Sequence, residues 1–163
     1  MKKGGDKDLT LDVYRPPDGV RSKRMAIVHL FGGGFFVGNK NAGYIINDAK
    51  ALGNRGYTSV SANYRLQSQG KWPAQIHDVK AAIRWTRKNA DRLGVDSNKI
   101  VVAGYSAGGM LSLLAAGVPA ELHVWEAMPH GGFGGMAPED ADVATAVNDF
   151  LDRHRRDGGI RSA

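Results

Sequence analysis

Apolar residues in this chain recur with two periods, one of strands and one of helices. Leu9-Thr10-Leu11-Asp12-Val13-Tyr14 alternates apolar with polar and then meets Arg15-Pro16-Pro17-Asp18-Gly19, the pattern of a half-exposed strand closed by a turn, placed near a sheet edge. Met25-Ala26-Ile27-Val28-His29-Leu30-Phe31 is almost continuously apolar and stops at Gly32-Gly33-Gly34, as a buried parallel strand does. Tyr44 to Leu52 predicts a helix ended near Gly53 or Gly56, and Tyr57 to Tyr64 predicts the next strand. After Pro73, the apolar positions Ile76, Val79, Ile83, Ala90 and Leu93 return at helical spacing until Gly94, which predicts one helix with a glycine stop. Lys99 to Ala103 reads as a strand, Ser106 to Ala116 as a helix stopped at Gly117-Val118-Pro119, Glu121 to Trp125 as a strand, and about Ala141 to His154 as a last helix. This alternation predicts an α/β three-layer sandwich, a mainly parallel sheet with helices on both faces and ligands at the carboxyl ends of its strands.

Composition narrows the class. With 163 residues, 42% of them hydrophobic, the chain can bury one core, so a single domain over residues 1–163 is expected. No apolar run is long enough to span a bilayer, and Met1-Lys2-Lys3-Gly4-Gly5-Asp6 is followed by no apolar segment, which predicts a cytoplasmic protein without membrane partners. The absence of cysteine excludes disulfides and thiolate chemistry. The net charge of +6 is concentrated in Lys2, Lys3, Arg21, Lys23, Arg24 and the run from Arg153 to Arg161. No basic run interleaves with aromatic residues, so nucleic acid is not an expected partner.

The chemistry begins at Gly104-Tyr105-Ser106-Ala107-Gly108, which lies between a predicted strand and a predicted helix. In that context the pentapeptide is a nucleophile elbow: the turn lifts the Ser106 hydroxyl above the sheet, and flanking glycines avoid collisions with the neighbouring strand and helix. An acyl-transfer serine needs donors for the oxyanion. Backbone N–H groups in Phe31-Gly32-Gly33-Gly34-Phe35, uncovered by side chains, can supply them together with the N–H of Ala107. It also needs a base. His29 lies in a strand, His77 on a helix, His123 on a strand and His154 in the basic tail, whereas His130 follows the carboxyl end of a predicted strand in Met128-Pro129-His130-Gly131, where a general base belongs.

Together with Asn63-Tyr64-Arg65-Leu66, the segment Pro73 to Trp85 and Pro129-His130-Gly131, these motifs resemble the α/β-hydrolase fold esterases of the hormone-sensitive-lipase and acetyl-esterase group. The resemblance implies Ser106 as nucleophile, His130 as base, and Gly33, Gly34 and Ala107 as oxyanion donors. It implies cofactor-free and metal-free hydrolysis of short-chain carboxylic esters. It further implies that Asp78 pairs with Arg65 as a structural contact. Phe31 stands where that group usually has histidine, and Ser106 and His130 are only 24 positions apart, where the group places tens of residues more, carrying further strands, a cap and the catalytic aspartate. The resemblance is therefore to a shortened form. Glu126, Glu139, Asp140 and Asp142 are the acidic residues near His130, none at the group's acid position, and a Ser-His dyad without an orienting carboxylate is equally compatible with the sequence. Loss of such an acid costs up to about 10⁴ in kcat, so weak activity is expected. A sheet shortened in this way exposes an apolar edge, which predicts a homo-oligomer. Two functions stay open: a small serine esterase, and a weak or inactive hydrolase-fold module for binding or assembly.

Overall fold

The computed structural model describes residues 3–4, 7–116 and 149. Along the chain, two-residue strands β1 (Lys3–Gly4) and β2 (Lys7–Asp8) pair antiparallel. There follow β3 (Leu11–Tyr14), β4 (Ala26–Leu30), α1 (Gly43–Gly53), β5 (Thr58–Ala62), α2 (Ala74–Lys88), α3 (Ala90–Leu93), β6 (Ile100–Gly104) and α4 (Ala107–Ala116). The main sheet runs β3-β5-β4-β6. Strands β5 and β6 flank β4 in parallel, with Val28 opposite Val60 on one side and Val102 on the other. The predicted edge strand is β3, and it pairs antiparallel to β5.

The continuous apolar run of β4 is explained by this central position. Ile27, Val28 and Leu30 are fully buried, each contributing about 1.5–3 kcal/mol relative to an exposed side chain. Successive strand residues point to opposite faces. Ile27 accordingly joins Met25, Leu52 and Tyr57 on the α1 side, whereas Val28 joins Val60, Ile76, Val79, Ala82 and Leu111 on the side of α2 and α4. Helices thus cover both faces of the mostly parallel sheet, as the hydrophobic pattern predicts.

One prediction needs correction. The helix expected from Ile76 to Leu93 is interrupted at Asn89, which takes φ −103° and ψ 15° between α2 and α3. Apolar spacing carries across the break because Ala90 and Leu93 remain buried beside Val95 and Ala26. The Asn89 side chain donates to the Trp85 carbonyl at 2.8 Å, satisfying an acceptor that the helix end leaves open. Gly94, with φ +70°, then ends α3 in the left-handed conformation expected of a glycine stop. The predicted strand from Glu121 to Trp125 lies outside the described residues, as does most of the last predicted helix, within which Asp149 is helical.

Candidate active site

Ser106 occupies the turn between β6 and α4 with φ +50°. For a residue with a β-carbon this conformation costs about 1–3 kcal/mol and persists only where the surroundings impose it. Here they do. A β-carbon on Gly104 would stand 2.3 Å from the Gly108 carbonyl carbon, and one on Gly108 would stand 2.4 Å from the Leu30 oxygen. The two glycines therefore let α4 start directly against β6 and β4. Tyr105 N–H donates to the Leu30 carbonyl at 3.1 Å, and Met110 N–H donates to the Ser106 carbonyl at 3.0 Å. Between them Ser106 remains exposed at the carboxyl end of the sheet, at the mouth where the strand polarity places ligands.

The glycine loop after β4 closes over the same point. A β-carbon on Gly32 would lie 3.3 Å from Cβ of Ser106, so side-chain-free backbone passes at contact distance from the serine. The loop turns through Gly33 (φ +121°), Gly34 (φ +61°) and Phe35 (φ +71°). At Gly33 a β-carbon would meet the Val37 carbonyl oxygen at 2.1 Å, so only glycine fits. Phe36 and Val37 N–H both donate to the Gly33 carbonyl, at 3.0 and 3.2 Å. Gly32 N–H donates to the Tyr44 hydroxyl at 2.9 Å, which takes it out of the set of amides open to a ligand. The N–H groups of Gly33, Gly34 and Ala107 have no acceptor among the described residues.

Aromatic rings support the loop from below. Phe31 is buried and stacks on Tyr64, with centroids 4.1 Å apart and planes 5° from parallel. Tyr64 donates its hydroxyl to the Phe31 carbonyl at 2.7 Å. Burial, and then the neighbouring Tyr44, push the Tyr64 hydroxyl pKa upward, keeping it protonated and donating. Stacking on Tyr64 thus seats Phe31 at the position where the resemblance implies a histidine. Next along the chain, Arg65 grips Asp78 with two bonds, Nε to Oδ2 at 2.7 Å and a terminal nitrogen to Oδ1 at 2.8 Å. The Arg65 backbone N–H adds a third at 3.1 Å. Hydrogen bonding to Asp78 raises the guanidinium pKa. Asp78 is wholly buried, so the pair is structural, as the resemblance implies, and anchors the chain leaving β5 to α2.

The other candidate side chains separate clearly. His29 is buried in β4 with Nε2 3.0 Å from the Ser59 hydroxyl, and burial lowers its pKa to about 4. His77 is exposed on α2. His130 and the acidic candidates Glu126, Glu139, Asp140 and Asp142 lie outside the described residues. Among the described residues no group of three or more His, Cys, Asp or Glu could hold a metal ion, and no helix is long and apolar enough to cross a membrane. Sequence reasoning missed Tyr44 and Asp48. On α1, Asp48 is a carboxylate on the buried face otherwise made by Ile45, Ala49 and Leu52, and that interruption of an apolar stripe was the available signal. It accepts a hydrogen bond from the Tyr105 hydroxyl.

Known proteins resemble this chain in sequence and in fold. The BD-FAE family model matches residues 11–148. Esterase LipC of Mycobacterium tuberculosis is 39% identical over 113 residues, which are 69% of this chain and 28% of LipC. Carboxylesterase NlhH of the same organism is 39% identical over 112 residues, 69% of this chain and 34% of NlhH. Esterase 2 of Thermogutta terrifontis superposes with a TM-score of 0.64 at 39% identity, over 72% of this chain and 42% of that one, and has also been captured phosphorylated by paraoxon. The chain spans about a third of the length of the curated relatives it matches.

Proposed function

Since the chain belongs to the BD-FAE family and has the α/β-hydrolase fold, we propose that it is a serine carboxylesterase of short-chain acyl esters, with Ser106 as nucleophile and His130 as general base. One observation carries the proposal: Ser106, held at φ +50° on a strand-to-helix turn, faces side-chain-free backbone at Gly32. In this mechanism the Ser106 hydroxyl oxygen attacks the ester carbonyl while His130 accepts its proton. The tetrahedral oxyanion accepts hydrogen bonds from the N–H groups of Gly33, Gly34 and Ala107. Removing one such donor in a related site type costs about 10²–10³ in kcat. Collapse breaks the bond to the alcohol oxygen, which leaves with the proton from His130, and water then hydrolyses the acyl-serine by the same steps reversed.

The support for His130 is its position after the predicted strand Glu121 to Trp125, in Pro129-His130-Gly131. A homo-oligomer fits β6, which pairs on one side only among the described residues, and the exposed Met110, Leu113 and Leu114 of α4. The test is initial-rate hydrolysis of p-nitrophenyl acetate and butyrate by wild type, Ser106→Ala and His130→Ala, with light scattering on the same samples. Turnover by wild type alone supports the mechanism. Equal rates in all three reject it and leave a hydrolase-fold module for binding or assembly.

A further inference from the structure

We propose that helix α1 positions the nucleophile and the oxyanion loop as one unit, with Tyr44 holding the loop and Asp48, acting through Tyr105, holding the elbow. The catalytic consequence rests on the esterase reading above, while the clamp itself does not.

Tyr44 and Asp48 are four residues apart on α1, one turn, and so lie on one face of the helix. From that face hydrogen bonds reach both walls. The Tyr44 hydroxyl accepts the N–H of Gly32 at 2.9 Å, and the Asp48 carboxylate accepts the hydroxyl of Tyr105. The two arms also touch each other, because the Tyr44 and Tyr105 rings meet edge to face with centroids 4.7 Å apart. Gly32 and Tyr105 are the residues on either side of the reaction point: a β-carbon on Gly32 would lie 3.0 Å from the Tyr105 carbonyl oxygen and 3.3 Å from Cβ of Ser106. The two walls are distant in sequence and leave adjacent strands, where the Tyr105 N–H bond to the Leu30 carbonyl already joins their bases; α1 adds a second tie through side chains. Asp48 is only 7% exposed, and a carboxylate in an apolar helix face is tolerated only when hydrogen-bonded. One partner here is Tyr105, the residue next to the nucleophile.

Positioning of this kind acts on kcat, because a displacement of about 1 Å in a reacting group can cost 10² in rate. Tyr105→Phe keeps the ring contact and deletes only the hydroxyl. It is expected to lower kcat on p-nitrophenyl acetate about tenfold with KM within about twofold, a loss of transition-state and not ground-state interactions. The rate of Ser106 labelling by paraoxon falls by the same factor. Asp48→Asn, which still accepts from Tyr105, retains most of the kcat that Asp48→Ala loses. Hydrogen exchange on the full chain supplies a readout independent of turnover: the peptide covering residues 104–110 exchanges faster in Tyr105→Phe, while residues 26–30 of β4 do not change. Tyr44→Phe, which removes only the acceptor for Gly32 N–H, is expected to reproduce the kcat loss and to raise exchange at residues 32–38. An unchanged kcat in Tyr105→Phe and Tyr44→Phe, or a loss of thermal stability without one, overturns the proposal. If wild type neither turns over nor labels, the esterase reading fails, and unchanged exchange at residues 104–110 overturns the clamp as well. Faster exchange confined to that peptide upholds the clamp.

Discussion

Gly104 and Gly108 face each other across the start of α4 so closely that a β-carbon on Gly104 would sit 2.3 Å from both the carbonyl carbon and the oxygen of Gly108. No side chain can rotate away from that collision, since the atoms it meets are backbone. Gly104→Ala is therefore expected to force β6 and α4 apart, at a cost of about 1–3 kcal/mol, toward the upper end because the collision is with backbone. Thermal unfolding checks it, with Gly43→Ala as control, because nothing stands within 4 Å of a β-carbon there.

Asp78 makes its three bonds to Arg65 with no exposure to solvent, and Arg65 keeps only 16% of its side chain accessible. Truncation to Asp78→Ala leaves the part-buried Arg65 guanidinium with the Ala74 carbonyl at 3.3 Å in place of the carboxylate, a loss of about 2–3 kcal/mol. A hydrophobic replacement of both partners is expected to recover part of that. Urea denaturation of the single and double variants measures the difference. A near-zero effect of Asp78→Ala would show that this pair does not anchor the chain between β5 and α2.

Much of this arrangement is legible in the amino-acid order, and the limits of that legibility are physical. The elbow is readable because its requirements are local: a β-branched strand, glycines two positions either side of the serine, and a helix immediately after. The α2–α3 break at Asn89 escapes because Ala90 and Leu93 stay in phase with the apolar face, and only a side-chain bond to the Trp85 carbonyl marks the interruption. The Tyr105–Asp48 contact joins residues 57 positions apart, and the engagement of Gly32 N–H by Tyr44 depends on the packing of α1. Neither follows from any local pattern. The stacking of Phe31 on Tyr64 likewise shows how a phenylalanine is accommodated where the resemblance implies histidine.

His29 gives the fold a pH dependence with a defined sign. Its pKa is about 4 in the folded chain, against an ordinary 6.5, because burial disfavours the charged form. Protonation would also place a charge on Nδ1, which has no hydrogen-bond partner among the described residues. Between those two values the unfolded chain binds more protons, so stability falls as pH drops from about 6.5 to about 4 and is unaffected by this group above that window. The total loss is about 3 kcal/mol. Urea midpoints at about pH 7 and about pH 4.5 are expected to differ more in wild type than in His29→Leu, which takes up no proton there. Equal differences would mean that His29 does not set the slope.

Covalent capture reads whether Ser106 is an activated nucleophile. The wild-type chain and Ser106→Ala are incubated with paraoxon, and intact-mass and peptide mass spectrometry read the stoichiometry and position of the phosphoryl group. One adduct per chain is expected, carried on the peptide containing Ser106, and none on Ser106→Ala. An unmodified wild type, or an adduct that persists in Ser106→Ala, would contradict that expectation.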